Sequence, residues 1–250
     1  MKIQKTKTGI TLAIVMMHAI GIFAQAQVTI KDKNAENIFK NYVSAIGGEK
    51  AIGMIENMVL KSELSFVETG FTVNREMIID KSNNYYGKAT AASMGEVLKG
   101  YDGNVCWEIK QSKLRLIVDN EKQTFLNESA FLRYSNWEKN LVAYEYLGQE
   151  DIDGTELLKI SVTTIYGAKE TWYFNKKDNL LARIDEPLVL AQGEIKVITT
   201  FEDYRDIDGV KHSFIQHIIM PGRTRKISFS SIMHNQPIDK KIFSVPAEQW

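Results

Sequence analysis

Hydrophobic and polar residues alternate with a period of two along most of the chain. Leu64 and Phe66, for example, alternate with Glu63 and Ser65. This period is typical of β-strands with one buried face. It predicts about a dozen strands joined by short turns, and therefore one large antiparallel sheet. The candidate strands are residues 58–66, 71–80, 85–90, 96–101, 104–110, 114–118, 142–147, 156–164, 169–175, 180–185, 194–203, 211–220 and 225–233.

Two regions show a helical period instead. Residues 34–46 place five apolar side chains on one helical face, with Asn34 as a suitable N-cap and Gly47-Gly48 as the end. A shorter helix is predicted over residues 49–55. Between residues 121 and 140, apolar side chains recur every three or four positions, which predicts one amphipathic helix inserted within the sheet. This helix either packs on the sheet or acts as a lid over a cavity.

The tetrapeptide Asp-Ile-Asp-Gly occurs twice, at residues 151–154 and 206–209. An EF-hand calcium loop needs Gly at its sixth position and Glu at its twelfth, and neither copy has them. Solenoid repeats need at least three copies. Because Asp-Gly favours hairpin turns, we predict that both segments are turns and that neither binds a metal.

The first 26 residues have the pattern of a secretory signal peptide. Three lysines precede an apolar run over residues 10–23, and Ala24-Gln25-Ala26 provides a small-x-small cleavage site. The run is shorter than the roughly 20 residues that span a bilayer. We therefore expect residues 1–26 to be cleaved and residues 27–250 to form a single domain in the periplasm.

The remaining composition argues against several classes of function. Residues 27–250 carry three more acidic than basic side chains, so they lack the excess of positive charge that is typical of nucleic-acid-binding proteins. Cys106 is the only cysteine, so no intramolecular disulfide forms, and its place inside a strand suits a small hydrophobe. His212 and His217 face opposite sides of one strand. HExxH, GxSxG and phosphate-loop motifs are missing, so we expect no enzyme, no metal and no cofactor.

The inward faces of the predicted strands are apolar and aromatic. A nearly closed sheet of about eleven strands is wider than side chains alone can fill, which predicts an apolar cavity that binds lipid. Arg75 shares the parity of Val73 and Met77, so either a bulge turns it outward or it faces in and could meet a phosphate or carboxyl head group. The predicted lining residues are Met58, Leu60, Leu64, Phe66, Phe71, Val73, Met77, Trp107, Leu158, Ile160, Trp172 and Phe174.

Five stretches occur in the order of the motifs of a known family. They are NIFKNYVSAIGGEKAIGMIENM (37–58), YDGNVCWEI (101–109), YFNKKDNLLARID (173–185), FEDYRDIDGVKHSFIQHI (201–218) and PIDKKIFSVP (237–246). The second contains Asp102, Gly103 and Trp107 in the spacing DGxxxW. Together, over essentially the whole exported chain, they resemble the LolA-like periplasmic lipoprotein carriers and their relatives, the outer-membrane lipoprotein-sorting proteins.

The resemblance implies a half-open barrel of about eleven antiparallel strands, mainly β with helices that cover it, and an apolar lining for acyl chains. The carriers place a basic residue in a KRP-like turn after the second strand. Here IIDKSNNYY (78–86) has Lys81 in place of that Arg and Ser82 in place of the Pro. Lys81 and Arg75 are therefore the candidate gating or head-group residues, although this turn does not match the carriers' gating turn.

The resemblance also implies a function. It predicts a monomeric periplasmic carrier of lipoprotein acyl chains or other lipids, which acts as a chaperone between the inner- and outer-membrane lipoprotein machinery. One alternative is a structural or interaction module of the envelope whose barrel is filled by its own side chains. Another is a hydrolase of envelope lipids, which would need a Ser or Cys close to a His inside the cavity. The volume of the cavity distinguishes the lipid carrier from the interaction module, because an empty apolar cavity supports transport and a packed interior supports the module.

Overall fold

The fold is described by a computed structural model that covers residues 30–190 and 193–246. The expected signal peptide and its cleavage site after Ala26 lie outside these residues. The described chain consists mainly of β-strands, with a helical region before the sheet and another within it. In the two described ranges, no helix combines the length and the apolar character needed to cross a membrane.

The first helix begins at a different cap from the one expected. The Asp32 side chain, Oδ1, accepts a hydrogen bond from the Asn34 backbone N–H at 2.7 Å, so Asp32 is the N-cap. Gly47, with φ 134°, follows the end of this helix as expected. The helices are α1 Lys33–Ala45, α2 Gly48–Gly53, α3 Asp119–Glu128 and α4 Trp137–Asn140, and a 3-10 helix covers Lys240–Phe243.

All the alternating segments form strands of one antiparallel sheet, in the order β6-β5-β4-β3-β2-β1-β13-β12-β11-β10-β9-β8-β7. The expected count of eleven was wrong, since the described sheet has thirteen strands and is open, with β6 and β7 at its edges. The strands are β1 Asn57–Phe66, β2 Thr72–Asp80, β3 Tyr85–Ala91, β4 Gly95–Tyr101, β5 Cys106–Lys110, β6 Lys113–Ile117, β7 Leu141–Ile152, β8 Thr155–Thr164, β9 Lys169–Asn175, β10 Leu181–Leu190, β11 Gly193–Ile207, β12 Val210–Met220 and β13 Arg223–His234.

Helix α1 marks one face of the sheet, which we call the inner face. Phe39 of α1 is fully buried in one hydrophobic cluster with Tyr85 of β3 and Ile160 of β8. These two strands are eight positions apart in the sheet order. A flat sheet would separate them by roughly 38 Å, at about 4.8 Å per strand. Helix α3 nevertheless reaches both sides, because its Phe125 ring lies 5.0 Å from the Tyr85 ring and its Asn127 Nδ2 donates to Glu170 of β9 at 2.9 Å. The sheet therefore curves, with α1 on its inner face.

A smaller cluster lies on the opposite, outer face. Val59 of β1 pairs with Ile78 of β2, and both pack against Phe243 of the C-terminal 3-10 helix. Trp107 also lies on this side, because its Nε1 donates a hydrogen bond to the Phe243 carbonyl at 2.9 Å. Its ring covers Gly100, where a Cβ atom would lie 2.2 Å from the indole. The placement of Trp107 in the cavity was therefore wrong.

Both Asp-Ile-Asp-Gly segments are turns, as predicted. Asp153 and Gly154 connect β7 to β8 with φ of 52° and 79°, and Asp208 and Gly209 connect β11 to β12 with φ of 53° and 83°. Positive φ at both central residues is characteristic of the type I′ turn, whose twist suits antiparallel strands. In the part of the chain that the structure describes, no group of three or more His, Cys, Asp or Glu residues could hold a metal ion.

The segment between β6 and β7 is not the single helix that its apolar spacing predicts. Residues 129–136 separate α3 from α4, and Leu132 in this loop has φ 49°, which interrupts the helical path. The Phe131 backbone N–H donates to Asn83 Oδ1 in the β2–β3 turn at 2.8 Å. Phe131 and Trp137 belong to the cluster under α1, so the broken segment packs on the inner face.

Candidate functional site

Seven of the predicted cavity residues lie in the packed core under α1, and we call this set the core region. Ile160, Trp172 and Phe174 have no exposed surface. The Phe39 ring of α1 lies 5.9 Å from the Trp172 ring and 5.9 Å from the Phe174 ring. This part of the inner face is therefore filled by the helix and by aromatic side chains. The core region consists of Met58, Leu60, Met77, Leu158, Ile160, Trp172 and Phe174.

Four other predicted residues form a separate apolar surface at the tip of the β1–β2 hairpin. We call Leu64, Phe66, Phe71 and Val73 the rim patch. Leu64 pairs with Val73 across the two strands, and the Phe66 and Phe71 ring centroids are 5.7 Å apart. Val73 is buried, whereas the other three side chains are only half-buried. The described cluster under α1 includes none of the four, so the rim patch is apolar surface that α1 leaves uncovered.

Lys81, a predicted gating or head-group residue, lies far from the rim patch. It follows the last residue of β2, whereas Val73 lies near the start of that strand. The Lys81 side chain is 58% exposed and forms an ion pair with Glu56. A cavity of about 140 Å³ adjoins it and is lined in part by Phe243, which belongs to the outer face. A role for Lys81 in lipid binding remains a prediction without a contact to the apolar inner face.

Arg75, the other predicted head-group residue, faces inward. The pairing of β1 with β2 is regular along its whole length, so no bulge turns Arg75 away from the parity of Val73 and Met77. The outward alternative was therefore wrong. Its guanidinium Nη2 lies 3.1 Å from the Met77 sulfur, at the border between the core region and the rim patch.

A cavity of about 570 Å³ opens on the outer face of β1, β2, β3 and β13. Most of its lining, including Lys61, Glu63, Asn74, Glu76 and Lys88, has the parity opposite to that of the rim patch, and Ser62 and Arg75, which have the inward parity, also border it. An acyl chain in this groove would displace water from charged side chains, which is unfavourable, so the groove does not suit an acyl chain. The candidate site for a lipid is the rim patch.

A buried ion pair fastens the inserted segment to the sheet. The Glu170 carboxylate on β9 is fully buried and accepts hydrogen bonds from Arg133 Nη2 at 2.5 Å, Asn127 Nδ2 at 2.9 Å and Trp172 Nε1 at 2.8 Å. Removing one partner of such a pair typically costs about 3–5 kcal/mol. Sequence reasoning missed this anchor, although Glu170 shares the inward parity of Trp172 and could have been noticed for that reason.

Two further carboxyl groups approach this part of the inner face. Burial raises the pKa of Glu186 on β10 to about 7, while Arg133 acts in the opposite direction. Burial also raises the pKa of Glu128 at the end of α3, and four surrounding cations oppose that rise. The charged form of a carboxyl is disfavoured where water is displaced, so both groups hold a proton more readily than an exposed Glu.

His212 and His234 form a pair on the inner face beside the core region. Their Nε2 atoms are 2.9 Å apart, and His234 Nδ1 lies 3.5 Å from an Asp208 carboxylate oxygen. Burial, aided by His234, lowers the pKa of His212 to about 4, and burial lowers the pKa of His234 as well. Sequence reasoning compared His212 only with His217 on the same strand and missed this pair, because the sheet order alone makes β12 and β13 neighbours.

Cys106 lies in an apolar environment, as its sequence context suggests. Its side chain is buried with Ile117 and Leu126. Burial raises the pKa of the Cys106 thiol to about 11. Because the thiolate is the nucleophile, the thiol is poorly reactive at neutral pH.

These features define the class of fold. An open antiparallel sheet that curves around an N-terminal helix and carries a second helical segment is a LolA-like fold, and the resemblance inferred from the sequence is confirmed at this level. A LolA superfamily protein from Nitrosomonas europaea has a TM-score of 0.60 and 13% identity, over 84% of this chain and 97% of that one.

Two other solved structures share the fold. A DUF1329 family protein from Desulfovibrio piger has a TM-score of 0.56 and 15% identity, over 84% of this chain and 96% of that one. A domain from Vibrio parahaemolyticus, described as an outer membrane lipoprotein-sorting protein domain, has a TM-score of 0.56 and 11% identity, over 83% and 94% of the two chains. No family model and no curated protein matches the sequence.

Proposed function

We propose that the protein is an exported, non-enzymatic binder of acyl chains, which shields lipids or lipoprotein chains as they cross the periplasm. The observation that carries this proposal is the rim patch, whose apolar side chains face inward yet remain partly accessible. An acyl chain gains about 0.8 kcal/mol for each CH₂ group that it removes from water. Even a short apolar wall can therefore hold part of a chain.

Two further observations support the proposal. The fold is shared with a LolA superfamily protein and with a domain described as lipoprotein-sorting. The pattern of residues 1–26 suits export by cleavage after Ala26, which would leave a single domain over residues 27–250. In this proposal the exported domain acts as a monomer and receives its lipid from lipoprotein machinery at one membrane.

A second candidate function is an interaction module of the cell envelope. The observation that favours it is the core region, where Phe39, Trp172 and Phe174 occupy the space that a deep lipid cavity would require. The two candidates differ in one property, because only the carrier needs a ligand on the rim patch.

Neighbouring residues of β1 provide the test. Leu64 faces inward opposite Val73, whereas Glu63 faces outward opposite Asn74. Leu64→Glu places a carboxylate on the rim patch and should weaken binding of a fluorescent fatty acid at least about tenfold, since an unpaired charge on an apolar surface costs several kcal/mol. Glu63→Leu, on the other face of the same strand, should bind as well as the wild type.

Fluorescence titration of both variants, with circular dichroism to check the fold, measures the outcome. Equal binding by the two folded variants, or no binding by the wild type, would reject the acyl-chain proposal. The second result would favour the interaction module.

A further inference from the structure

Two arginines border the rim patch on the inner face. Arg75 of β2 lies two residues beyond Val73, and Arg225 of β13 pairs with Phe66 of β1 in the register of the sheet. Arg225 shares the parity of Ile227, which is buried on the inner face opposite Leu64. The apolar surface therefore has a guanidinium group on each of two sides.

Neither arginine has a carboxylate partner among the residues that the structure describes. Arg75 contacts the Met77 sulfur, and the Arg225 guanidinium lies 5.4 Å from the centroid of the Phe66 ring. The Arg225 Nε–H is buried without an acceptor in the described chain, and so is the hydroxyl of Ser62, which pairs with Arg75 across β1 and β2. Buried polar groups are nearly always hydrogen-bonded, so two unsatisfied groups beside one patch indicate a missing partner.

The other cations of this region are already neutralised. Arg133 pairs with Glu170, and Lys99 pairs with Glu108 at 3.1 Å. Glu128, at the end of α3, also forms no ion pair with any described residue. Burial raises its pKa, while Arg75 and Arg225 are among the cations that lower it, so both guanidinium groups act on this one carboxyl. Two cations without an ion-pair partner among the described residues therefore border the rim patch.

We propose that the rim patch selects amphiphiles with an anionic head group, whose chain lies on Leu64, Phe66, Phe71 and Val73 and whose carboxylate or phosphate is held by Arg225 and Arg75. This inference rests on the proposed function and adds the class of lipid. Planar guanidinium groups match carboxylate and phosphate oxygens, and their hydrogen bonds to an anion are stronger than neutral ones. Glu128 acts against the head group and limits its affinity.

The test compares two ligands with the same chain on the full-length exported protein. Dodecanoate and dodecanol, each below its aggregation concentration, displace a fluorescent fatty acid in competition titrations. We expect dodecanoate to bind about tenfold or more tightly than dodecanol, since a charged hydrogen bond contributes roughly 1.5–3 kcal/mol. Inorganic phosphate, which has the charge but no chain, should not compete at millimolar concentration.

Three variants assign the effect to residues. Arg225→Gln and Arg75→Gln should each remove most of the preference for dodecanoate over dodecanol, and circular dichroism checks that both variants fold. Glu128→Gln should strengthen dodecanoate binding by roughly two- to fivefold, because it removes a repelling charge. Lys226→Gln, next to Arg225 but on the outer face opposite Ser65, should change neither ligand.

The outcomes separate the two proposals. If neither ligand binds the wild type, the proposed function fails. If both ligands bind with equal affinity, or if the arginine variants keep the preference, acyl-chain binding stands and the head-group proposal is rejected. Competition by inorganic phosphate alone would likewise overturn it, since the site would then be one for free anions.

Discussion

The core region and the rim patch have the same alternating pattern and the same inward parity, yet their surroundings differ. Phe174 in the core region has no exposed surface, whereas Phe71 in the rim patch is half-buried. The difference arises from α1, which packs against the first region and leaves the second uncovered. Alternation thus tells which face a side chain takes, but not whether another element covers it.

Two groups of titratable side chains on the inner face differ in a similar way. The core region adjoins the His212–His234 pair, whose pKa values are lowered by burial. Around the Arg133–Glu170 ion pair, burial raises the pKa of Glu186 and of Glu128. Burial causes both pKa shifts. Loss of hydration disfavours the charged form, which is the cation for His and the anion for Glu, so the pKa falls for His and rises for Glu. Stability should therefore respond to pH in opposite ways at the histidine pair and at the buried glutamates.

The largest expected effect comes from truncating one phenylalanine in each region. Phe174→Ala should lower the free energy of unfolding by about 3–5 kcal/mol, since it leaves a cavity among rings that cannot collapse. Phe71→Ala should cost about 1 kcal/mol, because its side chain is already partly exposed to water. Urea denaturation of both variants measures the difference. Equal losses would mean that the rim patch is packed as tightly as the core region.

An intermediate effect should be a loss of stability as the pH falls. The folded pKa of His212 is about 4, below its usual 6.5, so between these values the unfolded chain binds more protons and stability falls as the pH falls. Because His212 keeps some contact with water, we expect this histidine to account for about 2 kcal/mol of that loss. His212→Gln should flatten the stability profile between pH 6.5 and 4, measured by urea denaturation at each pH. His217→Gln, on the outer side of the same strand, should leave the profile steep, and an equal flattening by both variants would contradict the assignment to the buried pair.

The smallest effect should be a loss of stability as the pH rises. The folded pKa of Glu186 is about 7, above the usual 4.5, so the folded chain binds more protons in this window and stability falls as the pH rises through it. After a discount for partial exposure, Glu186→Gln should stabilise the protein by about 1 kcal/mol at pH 8 relative to pH 4.5. Thermal unfolding at the two pH values measures this change. Glu63→Gln, on the outer face, serves as the control, and a gain that is the same at both pH values would show that Glu186 does not titrate in this window.

Much of the fold could be predicted from the alternating pattern alone. Every segment with a period of two became a strand, while the count of eleven, which came from the resemblance, was wrong. The predicted helix over residues 121–140 is broken at a loop that contacts Asn83, more than thirty residues away in the chain, so no local pattern could reveal the break. Trp107 alternates like an inward residue of its strand but packs under the C-terminal 3-10 helix, which covers the outer face there.

Only part of the candidate site was predicted from the sequence. Arg75 was noticed because a charge interrupts an apolar parity, and the same signal at Arg225 and Glu170 was overlooked. Glu186 and His234 could not be recognised, since their roles depend on groups from distant strands and from the inserted segment.

The sequence by itself determined the strands, their two faces and the turns, because these depend on dihedral preferences and on alternation over a few neighbouring residues. The two Asp-Ile-Asp-Gly turns show that local sequence does not determine what a turn packs against. They have the same backbone shape, but only the second packs against α1 and α2, where a Cβ atom on Gly47 would lie 2.1 Å from the Gly209 carbonyl oxygen. The tertiary structure alone decided what covers each inward surface and which charges meet, since the order and curvature of the sheet bring together residues that no local pattern relates.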